Sequence, residues 1–271
     1  MNLGFIGAGR MAEAIISGLT SRRAVAKKNI LISDKDTARV KLVSRKYKLK
    51  AAEGNSHVGR SADVIILAVK PQVMAQVLGE ICGDVRPGQL VISIAAGITL
   101  KSIEKYLPRV AVIRVMPNNP CLIGEGISLI TGGRFAQEKD LKMAEKIFSS
   151  VGDVSRIDEK YMNAVTGLSG SGPAFVYEML EALTNGGIEA GLSRETAKKL
   201  AERTMLGAVC TVIRTGRTPE ELKAMVTSPG GTTLAGLRVM DENGVKQALR
   251  KAVVRAAQRA KEISEEFERS L

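Results

Sequence analysis

The tightest constraint on this chain lies at its start, where the apolar run Leu3-Gly4-Phe5-Ile6 passes directly into Gly7-Ala8-Gly9-Arg10-Met11-Ala12. A helical pattern follows at once through Glu13, Ala14, Ile15, Ile16 and Leu19. A strand that turns on two glycines into a helix has few uses. Gly7 permits the tight turn, Gly9 removes a Cβ that would hold a phosphate away from the backbone, and Ala12 is small enough for helix and strand to pack closely. The helix start then offers free N–H groups and a positive dipole end to an anion. The segment from Gly7 to Ala12 therefore predicts a cradle for a pyrophosphate. The plainer alternative is a glycine turn that only joins strand to helix.

Beyond this turn, short β-rich runs alternate with helical stretches as far as about Arg156, the pattern of a parallel, doubly wound sheet. The expected strands are Leu3 to Ile6, Ile30 to Ser33, Val64 to Val69, Leu90 to Ile94, Val110 to Val115, Gly126 to Ile130 and Asp153 to Arg156. The unbroken apolar text of Val64-Ile65-Ile66-Leu67-Ala68-Val69 suits a strand covered by helices on both faces. After about Glu159 the pattern becomes helical throughout, with loops around Gly191, Gly216 and Ser228. The expected architecture is α/β, with an N-terminal Rossmann domain over 1–158 and an all-α domain over 159–271. One helix of the second domain, Pro173 to about Asn185, is apolar on most sides (Phe175, Val176, Met179, Leu180, Ala182, Leu183). A helical domain of that size scarcely buries such a helix alone, so a second copy of the chain is its expected cover.

Hydrophobic residues make up 45% of the 271 and charged residues 25%, the balance of a folded globular protein. Aromatic residues are only 3% and Trp is absent, so the core must be built from aliphatic side chains. The 40 Lys and Arg against 28 Asp and Glu give +12, which raises nucleic acid as a partner. The basic residues are scattered, without aromatic interleaving or zinc-finger spacing, so no nucleic-acid partner is expected and a solvated basic surface is. Cys82, Cys121 and Cys210 lie far apart with no metal-ligand spacing, and no metal site is expected. The chain begins on a strand, without a signal-peptide pattern, and no run reaches membrane-spanning length. No membrane association and a reducing, cytoplasmic location are the expectations.

Ligands of open α/β sheets bind outside the carboxyl ends of the strands. The second strand ends in Ser33-Asp34-Lys35. Asp34 would favour a ribose 2′-hydroxyl, and hence NADH, whereas Ser33 and Lys35 would favour a 2′-phosphate, and hence NADPH. Asp34 has a third reading, as the cap of the next helix. NADPH is placed slightly ahead of NADH. Ala68-Val69-Lys70-Pro71 and Ala95-Ala96-Gly97 end two further strands with small residues that leave room for ribose and nicotinamide. The Lys70 side chain either assists binding or projects into water.

A dehydrogenase acting on an alcohol usually needs a proton acceptor such as His or Lys, and this chain has one His. His57, in Asn55-Ser56-His57, is expected to be a surface helix cap or a neighbour of adenine rather than a catalyst. The substrate is then one that accepts hydride without a strong base, such as a protonated C=N bond. The remaining distinctive cluster is Ser228-Pro229-Gly230-Gly231-Thr232-Thr233, ahead of a helical run. Successive backbone N–H groups with Ser and Thr hydroxyls there make a nest for a carboxylate. An ordinary loop with Thr as helix cap is the alternative. The run Leu168-Ser169-Gly170-Ser171-Gly172-Pro173 serves tight helix packing at least as well as a ligand.

Taken together, these motifs resemble the pyrroline-5-carboxylate reductase family over nearly the whole chain. The matching segments are Gly4 to Ala12, Ala68 to Pro71, Ile94 to Gly97, Arg114 to Pro120, Gly167 to Ala174 and Ser228 to Thr233. The resemblance implies NAD(P)H-dependent reduction of 1-pyrroline-5-carboxylate to L-proline, by a homodimer joined through the helical domain and open to higher oligomers of dimers. It places the cofactor on the first glycine turn, the Ser33 region, Asn55, Ala68 to Pro71, Ala95 to Gly97, Met116 and Asn118. It places the substrate on Glu159, Ser228, Gly230, Gly231, Thr232 and Thr233, with Thr233 also catalytic through a hydrogen bond to the ring nitrogen. Two departures stand out. The chain has Asn118-Asn119-Pro120 where the family often has Asn-Thr-Pro, and Asp34 follows Ser33.

Two rivals predict other observations. A hydroxyacid or prephenate-type dehydrogenase would place a catalytic Lys or His in the helical half, which holds no His but offers Lys160 and Lys223. A sensor of NAD(P)H levels would leave the Ser228 to Thr233 nest without a purpose.

Overall fold

A computed structural model describes residues 1–269. Eight strands form one sheet in the order β3-β2-β1-β4-β5-β6-β7-β8. They are β1 (Leu3–Ile6), β2 (Ile30–Ser33), β3 (Lys50–Ala51), β4 (Val64–Leu67), β5 (Leu90–Ser93), β6 (Ala111–Met116), β7 (Gly126–Gly132) and β8 (Gly152–Arg156). The helices between them are α1 (Arg10–Ser21), α2 (Thr37–Tyr47), α3 (Asn55–Ser61), α4 (Met74–Ile81), α5 (Leu100–Tyr106) and α6 (Glu138–Phe148). The strand order reverses between β1 and β4, which opens a crevice at the carboxyl ends of β1, β2 and β4.

The sheet departs from expectation at two places. The short edge strand β3 pairs parallel to β2 through Leu31 and Ile32, where the sequence shows no apolar run. β7 pairs antiparallel to β6, with Met116 opposite Leu129. The connection from Pro117 to Glu125 is shorter than the dozen or so residues that a parallel crossover requires, so the chain must reverse. Gly124, in the left-handed region at φ +81°, completes that reversal.

Alternation along the strands fills two apolar layers. Leu3, Phe5, Ile30, Ile32, Val64 and Ile66 face Ile15, Ile16 and Leu19 of α1 and Ile147 and Phe148 of α6. Ile6, Ile65, Leu67 and Val91 face the other way, onto Leu78 and Ile81 of α4 and Ile103 of α5. Both sides of β1 and β4 are thus covered, as their sequence demands. Helix α1 approaches so closely that a Cβ on Gly18 would lie 2.5 Å from the Ser150 carbonyl oxygen.

The remaining chain comprises α7 (Met162–Val165), a π-helical turn at Thr166–Gly170, α8 (Gly172–Glu189), α9 (Arg194–Thr215), α10 (Pro219–Met225), α11 (Thr232–Glu242) and α12 (Val245–Arg269). Pro219 at the start of α10 follows Thr218, which forms a reciprocal capping box with Glu221. By compactness the chain divides into Met1–Ser171 together with the chain from Val254 on, and Gly172–Val253. The expected division at 158/159 falls earlier than this one. Residues 159–171 stay with the sheet because Met162 is fully buried and Gly170 packs on Met116.

The second unit buries little of its apolar surface. Within α8 no residue is buried, and in α9 only Ala197 and Ala201 are. A Cβ on Gly187 would stand 3.0 Å from Ala197 Cβ, so the two helices meet at small residues while their large side chains point outward. No helix among the described residues is long and apolar enough to cross a membrane.

Candidate active site

The crevice predicted from the strand order is a cavity of about 620 Å³ in the first unit. Gly7, Gly9, Ser33, Asp34, Lys35, Asn55, Ala68, Val69 and Lys70, all singled out in the sequence, line it. Gly7 has φ +103°, and a Cβ there would stand 2.5 Å from the Ala68 carbonyl oxygen. Only glycine satisfies both demands. Gly9 is exposed with open space where its Cβ would be, so the backbone is accessible from the crevice. Helix α1 starts at the next residue with Gly9 as its N-cap and no side-chain cap. The first N–H groups of the helix therefore lack intrahelical partners and suit a phosphate. These features fit a dinucleotide.

The other members of the glycine turn have structural positions. Ala8 and Ala12 are fully buried in the core, Arg10 is exposed, and Met11 packs against the core edge. Pro71 opens a short turn over Pro71–Val73, after the cavity-lining Lys70. Ala95 is buried, Ala96 half-buried, and Gly97, at φ +76°, would place a Cβ 2.6 Å from Ile263 Cγ2. Gly97 is thus demanded by the close approach of α12. Met116 ends β6 under the π-helical turn, and Asn118 accepts a hydrogen bond from the Ile127 N–H at 3.0 Å. None of Pro71, Ala95, Ala96, Gly97, Met116 and Asn118 is among the residues lining the cavity.

Asp34 does not cap the next helix. Asp36 does, accepting from the Arg39 N–H at 3.0 Å. Asp34 instead accepts from the Ala8 N–H at 2.6 Å and from the Asp36 N–H at 2.9 Å. Ser33 donates its hydroxyl to Asn55 Oδ1 at 2.7 Å, and Asn55 Nδ2 donates to Glu80 Oε2 at 2.7 Å. Gln76 Nε2 completes the chain on Glu80 Oε1 at 2.8 Å. Thr37, Lys41, Glu53, Gln76 and Glu80 line the cavity although no sequence motif marked them. The available cue was the Asn55 amide, whose oxygen accepts from Ser33 and whose N–H group then needs an acceptor of its own. Lys35, Lys41 and Lys70 face Asp34, Glu53 and Glu80 around the walls, so the positive charge of the chain is not concentrated here.

His57 lies outside this cavity on α3, where its Nδ1 accepts from the Glu53 N–H at 3.4 Å. It is a local backbone acceptor. Among the described residues no group of three or more His, Cys, Asp or Glu side chains is placed to hold a metal ion.

Glu159 ends the strand region and accepts from the Leu100 N–H at 2.7 Å and from Arg114 Nη1 at 3.2 Å. Burial pushes the Arg114 pKa down, and the Glu159 carboxylate opposes that shift. In the second unit, Ser228–Gly231 form a turn closed by the Gly231 N–H on the Ser228 carbonyl at 3.0 Å, with Gly230 at φ +71°. Gly231, not a threonine, is the N-cap of α11, and no side chain caps the helix. Thr232 and Thr233 occupy its first two positions and are exposed. The N–H groups of Thr232 and Thr233, in the first turn of the helix, have no intrahelical partner and suit an anion.

A family model described as pyrroline-5-carboxylate reductase dimerisation matches residues 159–263, and one described as NADP oxidoreductase, coenzyme F420-dependent, matches residues 2–97. The pyrroline-5-carboxylate reductase of Synechocystis is 42% identical over 97% of this chain and 98% of its own length. That of Methanosarcina acetivorans is 42% identical over 96% and 97%. Among solved structures, Plasmodium falciparum pyrroline carboxylate reductase with NADP bound superposes with a TM-score of 0.89 at 33% identity, over 97% of this chain and 98% of that one. This chain therefore belongs to the pyrroline-5-carboxylate reductase family.

Proposed function

We propose that the protein reduces 1-pyrroline-5-carboxylate to L-proline with NAD(P)H, NADPH being somewhat preferred, and works as a homodimer joined through its helical half. The observation that carries the reading is the full-length similarity to reductases of that name in two distantly related organisms. The site chemistry agrees with it. Helix α1 and its glycine turn hold the pyrophosphate, and Ser33, Asp34, Lys35 and Asn55 surround the adenosine ribose. Ala68 to Pro71, Ala95 to Gly97, Met116 and Asn118 lead toward the nicotinamide. The bound dinucleotide supplies a hydride to the C=N carbon.

The substrate's contacts in this reading are Ser228, Gly230, Gly231, Thr232 and Thr233, whose hydroxyls and helix-start amides suit its carboxylate, and Glu159. The Thr233 hydroxyl hydrogen-bonds the ring nitrogen. Positioning and electrostatic stabilisation supply the rate, because a protonated imine already attracts hydride without a strong base. The site needs neither the histidine nor a metal.

Residues 159–271 are the substrate-binding and dimerisation part in this reading, in keeping with the family match over 159–263. Leu206, Val209 and Ile213 recur on one face of α9 and are all exposed, Ile213 by 74%. Such a stripe calls for an apolar cover. The test is direct: purified protein is mixed with 1-pyrroline-5-carboxylate and either reduced cofactor, and dihydronicotinamide absorbance is followed. Proline formation with both, faster with NADPH at equal concentration, is expected. No turnover with either would end the proposal.

A further inference from the structure

The backbone of Ala8, in the centre of the glycine turn, is held on both sides by oppositely charged side chains, one on the peptide it shares with Gly7 and one on the peptide it shares with Gly9. Its N–H donates to Asp34 Oδ2 at 2.6 Å, and its carbonyl accepts from Arg39 Nε at 2.7 Å. Arg39 has a second commitment, since its Nη2 pairs with Glu13 in the first turn of α1. Glu13 is in turn held by Lys46 Nζ at 2.8 Å and by the Tyr47 hydroxyl at 3.3 Å. The Arg39 backbone is also fixed, through the cap that its N–H makes with Asp36.

From this geometry we infer that Arg39 is a positioning residue for dinucleotide binding, which fixes the Ala8–Gly9 peptide while Asp34 fixes the Gly7–Ala8 peptide, and so aims the amides that follow at the pyrophosphate. The inference rests on the cofactor reading above.

Three physical points support it. A glycine turn is conformationally loose, and ordering it only on binding would cost affinity, so holding it in advance is worth most where the flanking glycines contribute nothing. Arg39 follows Ser33-Asp34-Lys35 closely, where an arginine of a dinucleotide fold is commonly expected to grip a 2′-phosphate. Here the guanidinium is already shared between the Ala8 carbonyl and Glu13, and its side chain is 27% exposed. A planar fork that meets two acceptors in fixed directions is also a task for Arg and not for Lys. Arg39 thus acts through the turn, on the part common to NADPH and NADH, and not on the phosphate that distinguishes them.

The experiment uses the full-length protein and its Arg39→Ala and Arg39→Lys variants. NADPH and NADH are titrated by calorimetry, and KM is measured for each cofactor and for 1-pyrroline-5-carboxylate. Arg39→Ala is expected to weaken both dinucleotides about ten- to a hundredfold, the loss of charge-assisted hydrogen bonds. The NADPH to NADH affinity ratio should stay within about twofold, and the KM for the imine should move less than that. Arg39→Lys, which reaches only one of the two acceptors, should recover part of the loss. Unchanged dinucleotide affinity in Arg39→Ala overturns the inference, and so does loss confined to NADPH, which would make Arg39 a reader of the 2′-phosphate. An equal loss of imine and dinucleotide binding with a lowered melting temperature also overturns it, by reducing Arg39 to a fold residue. If the unaltered protein binds neither dinucleotide, the cofactor reading itself falls and takes the inference with it.

Discussion

Arg114, buried at the carboxyl half of β6, donates Nη1 to Glu159 Oε1 at 3.2 Å, and the same oxygen receives the Leu100 N–H that opens α5. One carboxylate therefore balances a buried guanidinium and closes a helix start. Replacing it by glutamine keeps an acceptor but leaves the charge of Arg114 without a counterion. Breaking a fully buried pair costs about 3–5 kcal/mol, and because the Glu159 side chain is 32% exposed, roughly 2 kcal/mol is expected for Glu159→Gln. Chemical denaturation measures it. If Glu159 also holds substrate, the KM for 1-pyrroline-5-carboxylate rises as well, and an unchanged KM would leave it a purely structural residue.

Thr233→Ala should lower turnover of 1-pyrroline-5-carboxylate by roughly ten- to a thousandfold if its hydroxyl stabilises the transition state. The affinity for NADPH should not change, because the dinucleotide crevice is built from residues of the other unit. Steady-state kinetics and a cofactor titration check both halves. Full activity in the variant would remove Thr233 from the chemistry.

Glu13 predicts a pH signature. The hydrogen bond from Lys46, with Arg39 beside it, holds its carboxyl below the ordinary value although burial pushes the other way. A depressed pKa contributes stability above the unfolded value of about 4.3, and the contribution disappears as pH falls through the folded pKa. Thermal melts should therefore show Glu13→Gln less stable than the unaltered protein at neutral pH, with the gap closing below about pH 4. A gap that stays constant across that range would mean that the interaction is not ionic.

The exposed stripe on α9 predicts how the assembly fails. Placing carboxylates at Val209 and Ile213 together, as Val209→Glu with Ile213→Glu, should convert the dimer to a monomer in light scattering and abolish activity. A charge buried unpaired in an apolar interface is far more costly than the same charge in water. A double variant that stays dimeric would place the interface elsewhere.

Gly97→Ala separates two sources of strain. Its Cβ would collide with Ile263 Cγ2, and the φ of +76° disfavours any L side chain. The substitution should cost about 1–3 kcal/mol. Adding Ile263→Ala removes Cγ2 but keeps Cβ at 3.0 Å, so it should return the larger share of the steric part and leave the backbone part, in a double-mutant cycle read by denaturation.

Most of the sheet was legible because its strands are short apolar runs bounded by turn residues, and the two glycines after β1 mark the phosphate turn without help from the rest of the chain. The edge strand at Lys50–Ala51 was not legible, since both its residues are exposed and it is marked as a strand by its pairing with β2. Nor was the direction of β7, whose composition would suit either orientation. Its sense follows from the length of the connection before it, an argument that the sequence permits but its strand pattern does not raise. Around the crevice, Gly7, Gly9, Ser33, Asp34, Lys35, Asn55 and Ala68 to Lys70 are carried by motifs, whereas no motif marks Arg39 or Glu80. Arg39 reaches the glycine turn through Ala8 and Glu80 reaches Ser33 through Asn55, and a charged residue on a helix looks like solvated surface until such a neighbour is in place.

Helix α12 is continuous from Val245 to Arg269, about 37 Å at the usual rise, and only its later part belongs with the sheet. There Ile263 meets Gly97, Phe267 joins the core and Glu268 accepts from Thr99. Topologically, the helical unit is thus an insertion within the nucleotide-binding unit and not an appendage to it. A gene fragment stopping at Ser171 would encode a sheet stripped of its own closing segment, so the two halves of this enzyme cannot be parted by one cut.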